Sequence, residues 1–77
     1  MDHPEDTLAR TERRVRDGKA SVDRQIIIVE MLEKAGNARE TKDAKNLLLT
    51  LQNALDLIRE LLRIEHEVRG MRLVSSH

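Results

Sequence analysis

The side chains most able to do chemistry in this chain are its three histidines. His3 and His77 lie near the ends, and His66 lies between two glutamates in the stretch Ile64–Val68. A di-metal site in a helical bundle uses a glutamate three residues before a histidine, which puts both ligands on one helix face. Arg63 holds that position, and cysteine is absent. We therefore expect no metal and no other cofactor, and a solvated His66 that pairs with nearby acids.

The rest of the composition also argues against catalysis and small-molecule binding. No glycine-rich phosphate-binding loop is present, and acidic residues alternate with basic ones as they do on a solvated helix surface. The chain has no phenylalanine, tyrosine or tryptophan, on which nucleobases stack and which are common in drug-sized pockets and binding hot spots. We predict that the protein is not an enzyme and has no catalytic or cofactor-binding residues.

A row of basic residues in the first half is the strongest indication of a nucleic-acid partner. Arg10, Arg13, Arg14 and Arg24 lie on a broadly similar side of a helix, and phosphates bind such rows. Acidic residues interrupt the row, and 14 basic residues balance 14 acidic ones in the whole chain. A neutral total argues against a dominant electrostatic partner such as bulk nucleic acid or an anionic membrane. We favour the alternative, a solvated face with local ion pairs.

Two residues are unusual where they stand in the first half. Gln25 lies between Val22 and Val29 on an apolar side, and a buried amide must find hydrogen bonds, so it can fix the register of packed helices. Gly18 costs about 1 kcal/mol relative to alanine inside a helix. That cost is explained if another helix passes close to Gly18, which is the interpretation we favour.

The apolar residues of the first half recur at helical spacing. Two interleaved sets form a heptad seam, the line of side chains along which two helices pack. The sets are Leu8, Val15, Val22 and Val29, and Thr11, Gly18, Gln25 and Leu32. Because a threonine and a glycine weaken the start of the seam, we expect the first turns to fray.

Local signals place the ends of two helices. Pro4 suits a first helical position, and Gly36 suits the left-handed residue that ends a helix. Asn37 or Thr41 can cap the second helix, and Gly70 can end it. These signals predict one helical hairpin over residues 1–77, with helix 1 at about 4–35, a turn at about 36–40, helix 2 at about 41–69 and a tail at 70–77.

The second helix is apolar on too many sides for one neighbouring helix to cover. Because an isolated hairpin has no closed core, the sequence predicts an all-α, antiparallel two-helix hairpin that assembles into a homo-oligomeric four-helix bundle or coiled coil. We expect a homodimer, and a second apolar stripe leaves room for a tetramer. The predicted oligomer interface consists of Val15, Val22, Gln25, Ile26, Val29, Leu32, Leu48, Leu51, Leu55, Ile58 and Leu62. The candidate partner stripe consists of Leu57, Leu61, Ile64 and Val68.

The first helix contains the run Gly18-x-x-x-Val22-x-Arg24-Gln25-x-x-Ile28-Val29-x-x-Leu32-Glu33-x-x-Gly36. This run, together with the stretch Leu47–Leu57 of the second helix, resembles a small helical-hairpin family that is common in alphaproteobacteria. The resemblance implies a helical hairpin with no established biochemical function. The chain departs from the pattern at Leu51, where an aromatic residue is usual, and at Ile58, where a histidine is usual. Any role tied to that histidine is therefore not expected in this chain.

The architecture also resembles the plasmid copy-number regulators of the Rop type, which are short hairpins that dimerise into four-helix bundles and bind RNA. This is an analogy of fold, and fold does not imply function. Our leading prediction is a non-enzymatic, self-associating helical protein that acts as a protein–protein interaction or regulatory module. Its partners would be a second copy of itself or another helical protein. The alternative is a Rop-like bundle that binds RNA or another nucleic acid.

The sequence gives no sign of a membrane or secretory destination. An acidic segment follows Met1, where a signal peptide would have basic and then apolar residues. The longest uninterrupted apolar run, Ile26–Val29, is too short to cross a bilayer. We expect no membrane contact and a cytoplasmic location.

Overall fold

The chain folds into two helices that pack against each other in an antiparallel hairpin. The computed structural model describes residues 4–75, and it describes side chains over residues 7–71. Helix α1 spans Pro4–Ala35 and helix α2 spans Ala38–Ser75. The hairpin measures 62 × 19 × 16 Å. The predicted all-α hairpin is confirmed, while His3 and His77 lie outside the described residues.

The two residues between the helices serve as caps for both of them. Gly36 has φ 73°, the left-handed conformation that glycine adopts at low cost. The N–H of Gly36 donates to the Glu33 carbonyl at 3.1 Å, and the N–H of Asn37 donates to the Leu32 carbonyl at 3.3 Å. These two bonds form the Schellman motif that ends many helices. The Asn37 side chain then accepts the N–H of Glu40 at 3.3 Å, so Asn37 also caps the start of α2.

The turn is shorter, and α2 is longer, than the sequence signals predicted. The turn comprises Gly36 and Asn37 alone, because both caps are complete within two residues. Thr41 lies inside α2 and does not cap it, since its hydroxyl donates to the Asn37 carbonyl at 2.7 Å. Gly70 does not end α2, and the predicted tail is helical as far as Ser75. A glycine ends a helix when it turns left-handed, and among the described residues only Gly36 does so.

The contact between α1 and α2 forms a narrow core along one face of each helix. Its buried apolar side chains are Val22, Val29, Ala44 and Leu55, and its buried polar ones are Thr11, Gln25 and Thr41. The other residues along this seam are half-buried, namely Leu8, Val15, Leu32, Leu48, Leu51, Ile58 and Leu62. No large side chain in the described part of the chain is completely enclosed. A single hairpin therefore supplies only a small part of the burial that a stable domain needs.

At the start of the seam, α1 is helical and packs against α2, contrary to the expectation that its first turns fray. Helix α1 is regular from Pro4, and Thr11 is only 4% exposed. The Thr11 hydroxyl lies 3.1 Å from Oε1 of Glu65 on α2 and 3.1 Å from the Thr7 carbonyl. A cross-helix hydrogen bond thus replaces the apolar contact that the seam lacks at this position.

Candidate interaction surface

The residues predicted to form the oligomer interface lie along the contact between α1 and α2 of a single chain. Val22, Gln25, Val29 and Leu55 are buried there, and Ile26 is exposed at its edge. The half-buried remainder are Val15, Leu32, Leu48, Leu51, Ile58 and Leu62. The hairpin itself occupies most of this surface. A contact between copies through these residues stays a prediction.

Gln25 is buried and hydrogen-bonded, as predicted. Its Nε2 donates to the carbonyl of Ala44 at 3.0 Å, across the two helices. The carbonyl of Ala44 belongs to the helix backbone, so its second acceptor site is available to the amide without breaking α2. Because the bond joins Gln25 on α1 to Ala44 on α2, it favours the longitudinal alignment that brings these two residues together. Gln25 therefore helps to set the register of the hairpin.

Replacing Gln25 with alanine should lower the free energy of unfolding by about 1–2 kcal/mol, because a buried cross-helix hydrogen bond and its packing are lost. Urea unfolding followed by circular dichroism measures this change. The matched control is Gln52→Ala on the exposed side of α2, which should change stability by less than about 0.5 kcal/mol. Equal effects of the two substitutions would show that Gln25 does not hold the register.

The two helices approach closely at Gly18, which confirms the interpretation favoured from the sequence. A Cβ atom at this position would lie 3.1 Å from Cδ1 of Leu55. Leu55 is the most buried apolar side chain described, at 5% exposed. The glycine thus makes room for the side chain at the centre of the core.

The candidate partner stripe of α2 is exposed. Leu57 is 72% exposed, and Leu61, Ile64 and Val68 are between 41% and 43% exposed. The alternating spacing of three and four residues continues in both directions along α2. The whole set, called the outer stripe below, is Leu47, Thr50, Ala54, Leu57, Leu61, Ile64, Val68 and Met71.

The outer stripe forms a second heptad seam on α2. Each of its residues up to Val68 directly precedes a residue of the seam that packs on α1, so at about 100° per residue it lies about 100° around the helix from that seam. That angle puts its side chains beside α1 but out of its reach, and every one of them is exposed. A helix with two heptad seams fits between two neighbouring helices, and the hairpin supplies one of them. The outer stripe is therefore an unfilled helix-packing surface.

A cluster of ion pairs borders the outer stripe on the side away from α1. The guanidinium of Arg63 pairs with the carboxylates of Glu60 and Glu67, which directly precede Leu61 and Val68 in the sequence. The hydrogen bond from Arg63 lowers the pKa of Glu60 below its usual value. All three side chains are exposed, so the cluster contributes little to the stability of the hairpin. It gives the apolar stripe a polar rim, as interfaces have.

The basic row predicted on the first helix lies on the surface of α1. Arg10, Arg13, Arg14 and Arg24 are all exposed and extend over about 21 Å of the helix. Arg24 donates to the hydroxyl of Ser21 at 3.3 Å. The positive row is broken by acidic residues of the same helix. A nucleic-acid contact through these arginines stays a prediction.

The cross-helix pair between Thr11 and Glu65 was not predicted from the sequence. Oε2 of Glu65 is buried without a hydrogen-bond partner among the described side chains. The signal was present in the spacing, since Glu65 continues the heptad seam of α2 beyond Ile58 and Leu62. From the sequence alone, a glutamate at such a position is predicted to lie on the surface. Only the alignment of the two helices shows that Thr11 lies opposite it.

Two classes of site are not found in the described part of the chain. Over residues 7–71, no three histidine, cysteine or carboxylate side chains come close enough together to hold a metal ion. Neither helix, as far as it is described, is long and apolar enough to cross a bilayer.

The comparisons with known proteins found no match to this chain. No protein-family model matches the chain, and no curated protein or solved structure is significantly similar to it. The resemblance to an alphaproteobacterial hairpin family accordingly stays a prediction.

Proposed function

We propose that the protein is a non-enzymatic helical module that binds a second copy of itself through the outer stripe of α2. The product is a homodimer of four helices, and its role is protein binding, in regulation or assembly within the cytoplasm. The observation that carries the proposal is the exposure of six large apolar side chains on one face of α2. They are Leu47, Leu57, Leu61, Ile64, Val68 and Met71.

Burial of the outer stripe provides the driving force for association. Covering half of a leucine or isoleucine side chain is worth about 1 kcal/mol. Each copy contributes six large apolar side chains, four of them leucine or isoleucine, and a symmetric contact covers both sets. The same contact gives the hairpin the burial that its narrow core lacks. Folding and association are therefore coupled, and the hairpin is most stable as a dimer.

The coupling of folding to association gives the experiment that tests this function. If the dimer forms, the melting temperature followed by circular dichroism rises with protein concentration, because dilution favours the separated chains. For a domain of this size we expect a rise on the order of 10 °C over a hundredfold range of concentration. A melting temperature that is the same at every concentration would reject the proposed function.

Binding to another helical protein is an extension of the same proposal. An amphipathic helix with apolar residues three and four apart can occupy the outer stripe in place of the second copy. Such a partner competes with self-association, so the two forms of binding exclude each other.

A tetramer requires apolar surface beyond the outer stripe, for which the exposed side chains of Ile27 and Leu49 are the candidates.

Nucleic-acid binding is the alternative function, and the exposed arginines of α1 are the observation in its favour. We expect no salt-sensitive binding, because acidic residues interrupt the row and no aromatic side chain is available for stacking. A fluorescence titration of the protein with a structured RNA, at low and at physiological salt, measures this. Binding that weakens with salt and is lost in the Arg13→Gln/Arg14→Gln variant would establish the alternative.

A further inference from the structure

Only one of the two helices has a second apolar face. On α1, the positions that correspond to the outer stripe hold mainly polar and charged residues, among them Arg14, Asp17, Ser21 and Arg24. Ile28 and Met31 are apolar, but they lie at the turn end of the hairpin. A square four-helix bundle requires every helix to pack on two neighbours. Helix α1 meets that requirement over less than a third of its length.

We infer that the dimer forms by direct packing of α2 on α2 of a second copy, antiparallel, with each α1 on the outside. This inference rests on the proposed function and specifies its partner and geometry. The occupant of the outer stripe is the outer stripe of the other copy, because no other exposed surface among the described residues has the same length and spacing. A two-fold axis passes beside Arg59, the midpoint of the stripe, and perpendicular to α2.

The antiparallel arrangement places the two small side chains of the outer stripe opposite large ones. Residues equidistant from Arg59 face each other across the axis. The facing pairs are Leu47 with Met71, Thr50 with Val68, Ala54 with Ile64, and Leu57 with Leu61, each taken from opposite copies. Every layer of this contact contains at least one large apolar side chain. Alternation of large and small residues across facing positions is what fills a helix interface.

The parallel arrangement packs less well. It places Thr50 against Thr50 and Ala54 against Ala54, so two consecutive layers contain only small side chains. Such layers leave voids, and lost contact at a void is destabilising.

In the antiparallel dimer, Glu60 lies near the two-fold axis and close to Glu60 of the other copy. Arg63 of each copy pairs with Glu60 and thereby offsets part of that charge.

Disulfide trapping distinguishes the two arrangements, because the chain contains no cysteine. We would prepare Ala54→Cys and Ile64→Cys separately, mix them, and oxidise the mixture under non-denaturing conditions. Both positions are exposed in the hairpin, so neither change disturbs its core. In the antiparallel dimer, residue 54 of one copy lies next to residue 64 of the other. Two copies of residue 54 are then about 15 Å apart along the helix axis, beyond the 4.4–6.8 Å that a disulfide spans between Cα atoms.

The inference predicts that the mixed disulfide forms at least ten times more than either disulfide between identical variants. Mass spectrometry distinguishes the three products, because the two variants differ in mass. The matched control is Gln52→Cys with His66→Cys, which are also equidistant from Arg59 but lie on the opposite side of α2. That pair should form no disulfide dimer.

Two results would overturn the inference and leave the proposed function standing. Disulfides that form within each variant alone would show parallel helices. A dimeric wild-type protein that gives no disulfide at positions 54 and 64 would show that the copies meet elsewhere. A wild-type protein whose melting temperature does not change with concentration would reject both the inference and the proposed function.

Discussion

Replacement of both Leu61 and Ile64 with lysine is expected to turn the dimer into a folded monomer. The two side chains lie close to the centre of the outer stripe, and each is 43% exposed in the hairpin. In the dimer, their lysine replacements would place four ammonium groups in an apolar contact, and removing that many charges from water costs several kcal/mol. We expect dissociation to be at least about a hundredfold more favourable than in the wild type, measured by analytical ultracentrifugation.

The control for this variant adds the same charge on the other side of the helix. Gln52→Lys with His66→Lys places two lysines at exposed positions opposite the outer stripe, and the dimer should persist. Circular dichroism shows whether the Leu61→Lys/Ile64→Lys variant keeps its helices at low temperature. If that variant unfolds completely, the hairpin does not fold without the contact through the outer stripe. If it remains a dimer, the copies associate through another surface.

Replacement of Leu55 with alanine is expected to cost the most stability of any single truncation within the hairpin. Leu55 is 5% exposed and fills the space left by Gly18 on the facing helix. The truncation removes buried apolar surface and leaves a cavity that two straight helices close poorly, which typically costs about 2–4 kcal/mol. Most of the hairpin would then be unfolded at concentrations that do not favour the dimer, since small domains have only a few kcal/mol of stability.

A leucine outside both seams provides the comparison for Leu55. Leu49 is 57% exposed and belongs neither to the contact with α1 nor to the outer stripe. Leu49→Ala should change the free energy of unfolding by less than about 0.5 kcal/mol. Urea unfolding at a single protein concentration compares the two variants. A loss for Leu55→Ala no larger than the loss for Leu49→Ala would show that the helices do not pack at Gly18.

The sequence predicted those features of the fold that depend on local chemistry or strict spacing. The left-handed Gly36 and the cap by Asn37 follow from residue types that few alternatives can replace. The burial of Gln25 and the close approach at Gly18 follow from their places in a seven-residue repeat. These features required no knowledge of what lies on the facing helix.

Features that depend on the facing helix, or on the absence of a competing conformation, were missed. The sequence predicts a weak point of the seam at Thr11, because its partner Glu65 is 54 residues away in the chain. The sequence also predicts a helix end at Gly70, but glycine within a helix costs only about 1 kcal/mol and α2 continues through it to Ser75. The continuation of α2 past Gly70 adds Met71 to the candidate partner stripe and completes its symmetry about Arg59.

The predicted oligomer interface shows a further limit of the sequence. A heptad repeat reveals that a helix packs on another, but it does not say whether the other helix belongs to the same chain. Leu48, Leu51 and Leu55 pair with α1 of their own chain in the structure. The surface that then remains for a second copy is the outer stripe, which contains the candidate partner stripe predicted from the sequence.

The most direct test of self-association through the outer stripe is the solution mass of the wild-type protein. Light scattering should be recorded over a hundredfold range of concentration. The dimer predicts a mass of twice the 8.9 kDa of one chain over the upper part of that range, and a mass of one chain throughout for the Leu61→Lys/Ile64→Lys variant. A wild-type mass of a single chain at every concentration would contradict the account.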